Sequence, residues 1–183
     1  MRITNKSVRS LVVRTKETLI VIFVCVFLIV GATSIFARDL DPQQDRILSS
    51  AETLFKTMER RDYQQIWRYL SVKSKDTIVK DTYKKMAKHE GGERNAQYSE
   101  DQIKQDFTQG GVIAKAYWDG YLGAFDPHLV LDQSKWEMGK ADKKRAQIIV
   151  QHKKAERPAI IQMVLEDGEW KVGLIETFAT SKR

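Results

Sequence analysis

The chain is poor in the residues that most catalytic and metal-binding sites require. It contains one cysteine, Cys25, and three histidines, His89, His128 and His152, in 183 residues. Because there is no second cysteine, the chain can form no internal disulfide, and residues 38–183 hold no thiolate for catalysis or zinc binding. The histidines lie too far apart in sequence to match the spacing of a metal motif. We therefore predict no metal, no cofactor and no catalytic residue from these types.

Other signatures of common activities are missing as well. The chain has no Ser-His-Asp order, no phosphate-cradling loop and no dinucleotide fingerprint around Gly110-Gly111. Its formal net charge is +7, but residues 38–183 hold 26 basic and 23 acidic side chains, a charge of only +3. These charges are interleaved and form no concentrated basic stripe with stacking aromatics, which nucleic-acid binding requires. We therefore predict no nucleic-acid partner.

One long apolar run, Leu19–Ala37, dominates the N-terminal part of the chain. No charged residue lies between Glu17 and Arg38, and an uncharged helix of this length spans a hydrocarbon core of roughly 30 Å. Five basic residues precede the run and a balanced mixture of charges follows it, so the N-terminus is predicted to be cytoplasmic. The sequence thus predicts a basic stub, a single-pass anchor in the inner membrane, and a periplasmic or extracellular domain at residues 1–18, 19–37 and 38–183.

A cleaved signal peptide is the alternative interpretation of this run. It would have a basic first region, an apolar second region, and small residues near the cut at Gly31, Ala32 and Ser34. The first region is long, however, and Leu19–Val30 is unbroken and very apolar, so we favour a retained anchor. Both interpretations export residues 38–183.

Apolar residues recur at helical spacing between residues 41 and 125, which predicts a helical first half of the domain. Aspartate and serine cap the free N–H groups of a first turn, and proline suits the first helical position. On these signals, helices are predicted to start at Asp41-Pro42, Asp62, Ser74 or Asp76, and Ser99. Val112–Phe125 reads as a further helical or mixed stretch, and Asp126-Pro127 is predicted to end the helical half.

The apolar period then shortens to two, which indicates strands. Strands are predicted at Leu129–Met138, Arg145–His152, Pro158–Glu166 and Glu169–Phe178. Asp167-Gly168 is a strong two-residue hairpin turn, because both residues tolerate a positive φ. The inward strand residues are all apolar, namely Ala146, Ile148, Val150, Ile161, Met163, Leu165, Trp170, Val172 and Leu174. Helices followed by antiparallel strands predict an α+β fold with helices packed on one face of a sheet.

Two segments together resemble a known superfamily. They are Glu59–Asp76, ERRDYQQIWRYLSVKSKD, and the hairpin Val164–Leu174, VLEDGEWKVGL. Their order is similar to that of the nuclear-transport-factor-2-like superfamily, in its bacterial, membrane-anchored, extracytoplasmic form. The resemblance covers residues 41–178 and implies a cone, in which helices lie across a strongly curved antiparallel sheet. The superfamily includes isomerases, dehydratases, transport factors and secretion scaffolds, so the fold implies no single activity.

Aromatic residues are the best candidates for a binding site inside this domain. They would either line an apolar pocket or fill a core, since aromatics dominate both. The aromatic residues that could line one interior are Trp67, Tyr117, Trp118, Tyr121, Phe125, Trp136 and Trp170. The pocket candidates chosen from this region, with one acid that lies among them, are Trp67, Trp118, Asp119, Tyr121, Trp136 and Trp170. Asp119 and Asp132 are the acids that an isomerase or dehydratase could use, although each also fits an ordinary exposed helical aspartate. His152 is read as a residue at the rim.

The absence of site chemistry favours a non-enzymatic interaction domain at the outer face of the membrane. It would bind a protein partner or a second copy of itself through the outer face of the sheet. That half-apolar face is predicted to show Gln147, Ile149, Gln151, Ile160, Gln162 and Val164. Binding or sensing of a small apolar ligand is the first alternative, and an isomerase-like or dehydratase-like enzyme is the second.

Overall fold

The computed structural model describes residues 41–89 and 97–179. The predicted stub and anchor, residues 1–37, lie outside the described residues. Within the two described ranges, no helix is both long enough and apolar enough to cross a membrane. The elements in chain order are α1 Pro42–Glu59, α2 Tyr63–Tyr69, α3 Val72–His89, α4 Glu100–Gln109, α5 Val112–Ala124, α6 Pro127–Gln133, β1 Ser134–Ala141, β2 Arg145–His152, β3 Ala159–Glu166, β4 Glu169–Gly173 and α7 Leu174–Ala179.

Three helix starts follow the predicted capping residues. Asp41 accepts a hydrogen bond from the backbone N–H of Gln43, with Pro42 as the first residue of α1. Asp62 accepts from Gln65 at the start of α2. At the start of α4, Ser99 and Gln102 form a reciprocal capping box. In all three cases a short polar side chain accepts a hydrogen bond from a backbone N–H of the first helical turn that has no partner within the helix.

The third helix starts earlier than predicted, at Val72 instead of Ser74 or Asp76. The hydroxyl of Ser71 accepts from the N–H of Ser74 at 3.1 Å, so Ser71 is the capping residue. The N–H of Val72 donates to the carboxylate of Glu166, a residue 94 positions away, with distances of 2.9 and 3.2 Å. This distant acid satisfies a donor that the local sequence leaves open.

The predicted strand Leu129–Met138 is wrong in its first half. Asp126 does not end the helical half but caps another helix, α6, by accepting from the N–H of His128 at 3.0 Å. Pro127 then occupies the first helical position. An Asp-Pro pair suits a helix start as well as a helix stop, and the start prevails here. Strand β1 begins only at Ser134.

The four strands form one antiparallel sheet in the order β1-β2-β3-β4. The turn between β3 and β4 has Asp167 at φ 50° and Gly168 at φ 78°, as a tight hairpin requires. The predicted last strand, Glu169–Phe178, is wrong beyond Gly173, where α7 begins. Thr177 of α7 accepts from the N–H of Gln162 at 3.0 Å and donates to the carbonyl of Gly173 at 2.7 Å. Helix α7 therefore lies beside β3 where β4 has ended.

One face of the sheet carries the core, and the helices cover that face. The inward strand residues are at most 7% exposed, apart from Leu165, which is half-buried. They meet the apolar stripe of α1, which consists of Ile47, Ala51, Leu54, Phe55 and Met58. The predicted α+β fold, with helices packed against an antiparallel sheet, is confirmed.

We expect the contact between α1 and the sheet to be a major source of stability. Leu54 is fully buried at its centre. Leu54→Ala should lower the free energy of unfolding by about 2–5 kcal/mol, because it removes buried apolar surface and leaves a cavity. Urea unfolding of the full chain, followed by tryptophan fluorescence, measures this loss. Ser49→Ala, at an exposed position of the same helix, is the control and should change it by less than about 0.5 kcal/mol. An equal effect of the two variants would contradict the assigned core.

Candidate functional site

A cavity of about 190 Å³ lies between the helices and the inner face of the sheet. Helices α1, α5, α6 and α7, the four strands and the segment between β2 and β3 contribute to its wall. The lining residues are Phe55, Met58, Tyr121, Phe125, Val130, Ser134, Val150, His152, Ala155, Arg157, Ala159, Ile161, Val172, Leu174 and Thr177. The wall is mainly aliphatic and aromatic, and its described residues include no aspartate or glutamate.

Aromatic packing shapes the helical side of the cavity. The ring of Phe55 lies 5.9 Å from that of Phe125 and meets Trp136 edge-on at 5.3 Å. Tyr121 packs at 5.5 Å from Phe125 and supplies a phenol to the lining. Burial raises the pKa of Tyr121, so its hydroxyl stays protonated at neutral pH. These rings hold the cavity wall in a fixed arrangement.

Polar side chains of the lining include Ser134, His152 and Arg157, which we call the polar rim. Ser134 begins β1 and lies directly across the ladder from His152 at the end of β2. The hydroxyl of Ser134 is enclosed and has no hydrogen-bond partner among the described residues. Arg157, in the segment between β2 and β3, is exposed and forms no ion pair within residues 41–89 and 97–179.

The imidazole of His152 has one nitrogen already engaged. Its Nδ1 lies 3.1 Å from the backbone N–H of Lys154. A backbone N–H only donates, so Nδ1 is the acceptor of this bond and the neutral ring carries its proton on Nε2. The free donor of the neutral ring is therefore Nε2, and His152 belongs to the cavity lining at the end of β2.

Of the predicted pocket aromatics, only Tyr121 and Phe125 line the cavity. Trp67, Trp118 and Trp170 are at most 7% exposed and belong to the packed core. Trp67 stacks on Phe107 with ring centroids 4.7 Å apart. Trp136 supports the cavity from behind Phe55 and donates its indole N–H to the carbonyl of Val130 at 3.3 Å. Both readings of the aromatic residues therefore apply, to different members of the set.

Asp119 lies outside the cavity, at the centre of an ion-pair cluster. Its Oδ2 accepts from Lys115 Nζ at 2.5 Å, and its Oδ1 accepts from the Tyr63 hydroxyl at 2.7 Å and from Arg61 Nη1 at 2.5 Å. These bonds, that from Lys115 first, lower the pKa of Asp119 to about 2. A carboxylate held by three donors is a weak proton acceptor. It instead ties α5 to the junction of α1 and α2.

Asp132 also lies away from the cavity, on the exposed side of α6. Its Oδ2 lies 3.2 Å from Nε2 of His128, and Nδ1 of the same ring lies 2.9 Å from Oε1 of Glu59. The histidine thus bridges α1 and α6 between two carboxylates. Within the described ranges, no group of histidine, cysteine and acidic residues is arranged to hold a metal ion.

The predicted interface residues share the face of the sheet that points away from the helices. Ile149 and Ile160 are cross-strand partners, as are Gln147 and Gln162. Most are half-buried by their neighbours, and Ile160 is 42% exposed. This face of the sheet therefore mixes glutamine with isoleucine and valine side chains, as the alternating sequence pattern of the strands predicts. A partner on this face stays a prediction.

No known protein family, curated protein or solved structure matches this chain. The resemblance to the nuclear-transport-factor-2-like superfamily therefore stays a prediction.

The ion-pair cluster of Asp119 makes a prediction about pH and stability. The pKa of Asp119 is lowered from 3.8 to about 2 on folding. The stability that its carboxylate contributes is therefore present above the pKa of the unfolded chain and disappears as the pH falls through the pKa of the folded chain. Asp119→Asn should lower the unfolding temperature at neutral pH. The difference from the unchanged protein should stay constant down to about pH 5 and vanish towards about pH 2.

Thermal unfolding followed by circular dichroism over this pH range measures the effect. Asp132→Asn, at an exposed aspartate of α6, is the matched control and should show a smaller difference at neutral pH, because exposed pairs contribute little. A difference for Asp119→Asn that does not change with pH would show that its carboxylate charge is not the cause.

Proposed function

We propose that this domain binds a small apolar molecule in the cavity between its helices and its sheet. The observation that carries the proposal is a cavity of about 190 Å³ with a mainly apolar wall. An apolar cavity of about 150 Å³ in another protein binds benzene. The cavity is thus large enough for one aromatic ring with a short substituent or for a short aliphatic chain.

Such a cavity presents apolar surface that a ligand can cover, which is a reason to connect it with function. Protein interiors are close-packed, with few voids larger than a water molecule. A bound apolar molecule contacts the apolar wall and removes its surface from water.

The lining favours binding over acid-base catalysis. An isomerase or dehydratase needs a proton acceptor held beside the substrate. The titratable residues of the lining are Tyr121, His152 and Arg157, and they present hydrogen-bond donors. The two aspartates considered from the sequence, Asp119 and Asp132, are engaged elsewhere. These contacts support a binding or sensing role.

The location and finer shape of the domain belong to the same proposal. An anchor at residues 19–37 would hold the domain at the outer face of the inner membrane, and the sheet and helices would form the cone that the resemblance implies. The sequence supports the anchor through its uncharged run and its basic N-terminal flank. The cavity would then take a ligand from the periplasm or from outside the cell.

Filling the cavity tests the proposal. Val130 is half-buried on α6 and lines the cavity. Isothermal titration with 2-phenylethanol should show binding to the unchanged full chain and no binding to Val130→Phe, because the new ring occupies the space. The unfolding temperature of the variant should be equal or higher.

Val112→Phe is the control, since Val112 is 81% exposed on α5. It should bind 2-phenylethanol like the unchanged protein. At tenfold excess over the dissociation constant, the ligand should stabilise binding-competent chains by about 1.4 kcal/mol. Failure of the unchanged chain to bind, or equal binding by Val130→Phe, would refute the cavity as the binding site.

The predicted interaction role has its own test on the outer face of the sheet. A second copy is the partner that we propose, because uncharged Gln and Ile side chains at the centre of the face suit self-association. Sedimentation velocity of the full chain in detergent should show a dimer, and Ile160→Lys should shift it towards monomer. Leu129→Lys, at a similarly exposed apolar position of α6, should leave the dimer unchanged. A monomer for the unchanged chain would exclude this partner.

A further inference from the structure

We propose that a groove between α2, α3 and α4 binds the acidic group of a small molecule, a carboxylate or a phosphate, with Lys75 as the main contact. The groove has a volume of about 520 Å³ and shares no described lining residue with the apolar cavity. It is therefore a second site, and this inference does not depend on the proposed binding function. Its described lining contains three basic side chains, Arg68, Lys75 and Lys104, and one acidic side chain, Asp76.

The ammonium group of Lys75 is held against one wall of the groove. Its Nζ lies over the indole ring of Trp67, 5.9 Å from the ring centre, and both residues line the groove. Lys75 is half-buried, whereas Lys73, on the same helix, is exposed and does not belong to the lining. An ammonium group over an aromatic ring is attracted by the negative face of that ring. The fold therefore sets the position of this positive charge.

No acidic residue forms an ion pair with Lys75 within residues 41–89 and 97–179. Two acids act on Lys75 through their charge, and both are engaged by other groups. The carboxylate of Glu166 accepts from the N–H of Val72 at 2.9 and 3.2 Å. Asp76 Oδ1 lies 3.6 Å from Lys104 Nζ. Desolvation disfavours a half-buried ammonium group without a partner, and a bound anion would supply the partner.

The electrostatic surroundings of Lys75 favour an added negative charge. Burial is the main cause that lowers the pKa of Lys75, and the positive charge of Lys171 is the next. Lys104 lowers this pKa further, while Glu166 and Asp76 oppose the shift. Because the pKa is lowered overall, burial and the positive neighbours outweigh the two acids. An anion within about 4–6 Å would favour the charged form of Lys75 and reverse this balance.

The other basic groups of this region have acidic partners of their own. Lys171 Nζ lies 2.5 Å from one carboxylate oxygen of Glu169, and a guanidinium nitrogen of Arg68 lies 3.7 Å from the other. Together with the ion pair of Asp76, these contacts leave Lys75 as the one basic residue of the described groove lining without an acidic partner. The groove thus suits a ligand with one acidic group. An ammonium group at the same position would be repelled.

The groove has room for more than a bare ion. Its volume of about 520 Å³ is many times the share of a water molecule in the liquid, which is about 30 Å³. Val72 is 52% exposed and lines the same groove, so it offers apolar surface to an attached body. The ligand class is therefore a small monoacid with an uncharged body. Lysine binds phosphate as well as carboxylate, since its ammonium group acts as a point charge.

Inorganic phosphate and acetate are the probes that test this inference. Phosphate should raise the unfolding temperature of the full chain above that in sodium chloride of equal ionic strength, because a ligand of the folded state stabilises it. Isothermal titration should show that Lys75→Met weakens phosphate binding about tenfold to a hundredfold, the usual loss for a hydrogen bond to a charged group. Lys73→Met removes an exposed charge from the same helix and should leave binding within about twofold.

Two readouts separate recognition from a structural role of Lys75. Lys75→Met should leave the unfolding temperature of the free chain equal or higher, because a half-buried charge is removed and methionine still packs on the Trp67 ring. A lysine that serves only to stabilise the fold would give a lower temperature. Asp76→Asn should tighten phosphate binding, since it removes the acid of the lining and releases Lys104.

The outcomes decide the inference independently of the cavity. Tighter binding of phosphate than of acetate would assign a phosphate ligand, and the reverse would assign a carboxylate; either supports the site. No binding of either anion beyond the effect of chloride, or equal binding by Lys75→Met and Lys73→Met, would overturn it. Val130→Phe, which fills the cavity, should bind phosphate like the unchanged chain. Loss of phosphate binding in that variant would contradict the assignment of two separate sites.

Discussion

The hydrogen bonds between Glu176 and two buried serines hold α7 in its place, and the cavity depends on them. The hydroxyls of Ser71 and Ser74 donate to the carboxylate of Glu176 at 3.0 and 2.8 Å, and both serines are fully buried. A buried polar network of this kind is costly when broken, so it specifies one arrangement. It joins the start of α3 to α7, which therefore packs along β3 in place of a longer β4. Leu174 and Thr177 of α7 then form part of the cavity wall.

The long sequence separation of the residues in this network shows why some element boundaries could be predicted from the sequence and others could not. Strand β2 and the turn at Asp167-Gly168 were predictable, because alternation and positive-φ residues are local signals. The end of β4 was not, because Leu174 continues the alternating pattern of Trp170 and Val172, while the partners of Glu176 lie more than a hundred residues away. The prediction that Asp126-Pro127 ends the helical half failed for a different reason, since the pair suits both the end and the start of a helix.

For the candidate site, the sequence predicted some lining residues through local patterns and missed those that depend on the path of a loop or on strand register. Tyr121 and His152 follow from helical spacing and from strand alternation. Arg157 lies in an irregular segment whose path no local pattern specifies, and Ser134 meets His152 only through the register of β1 on β2. The large tryptophans were predicted to line the pocket, but a large aromatic side chain is as typical of a packed core as of a pocket wall. Trp67, Trp118 and Trp170 fill the core on which the cavity rests.

Most acidic residues that lie near basic residues in the described part of the chain form ion pairs with them. The polar rim differs in this respect. Asp119 has Lys115, Arg61 and Tyr63, and Glu169 has Lys171 and Arg68; these contacts lower the pKa of both acids. The cavity lining differs, because Arg157 has no acid beside it among the described lining residues. An apolar wall strengthens electrostatic interactions at its edge because it excludes water. The apolar wall is therefore the part of the site on which the affinity of a small ligand would depend, and the Asp119 cluster holds α5, one of the helices that form this wall, against the junction of α1 and α2.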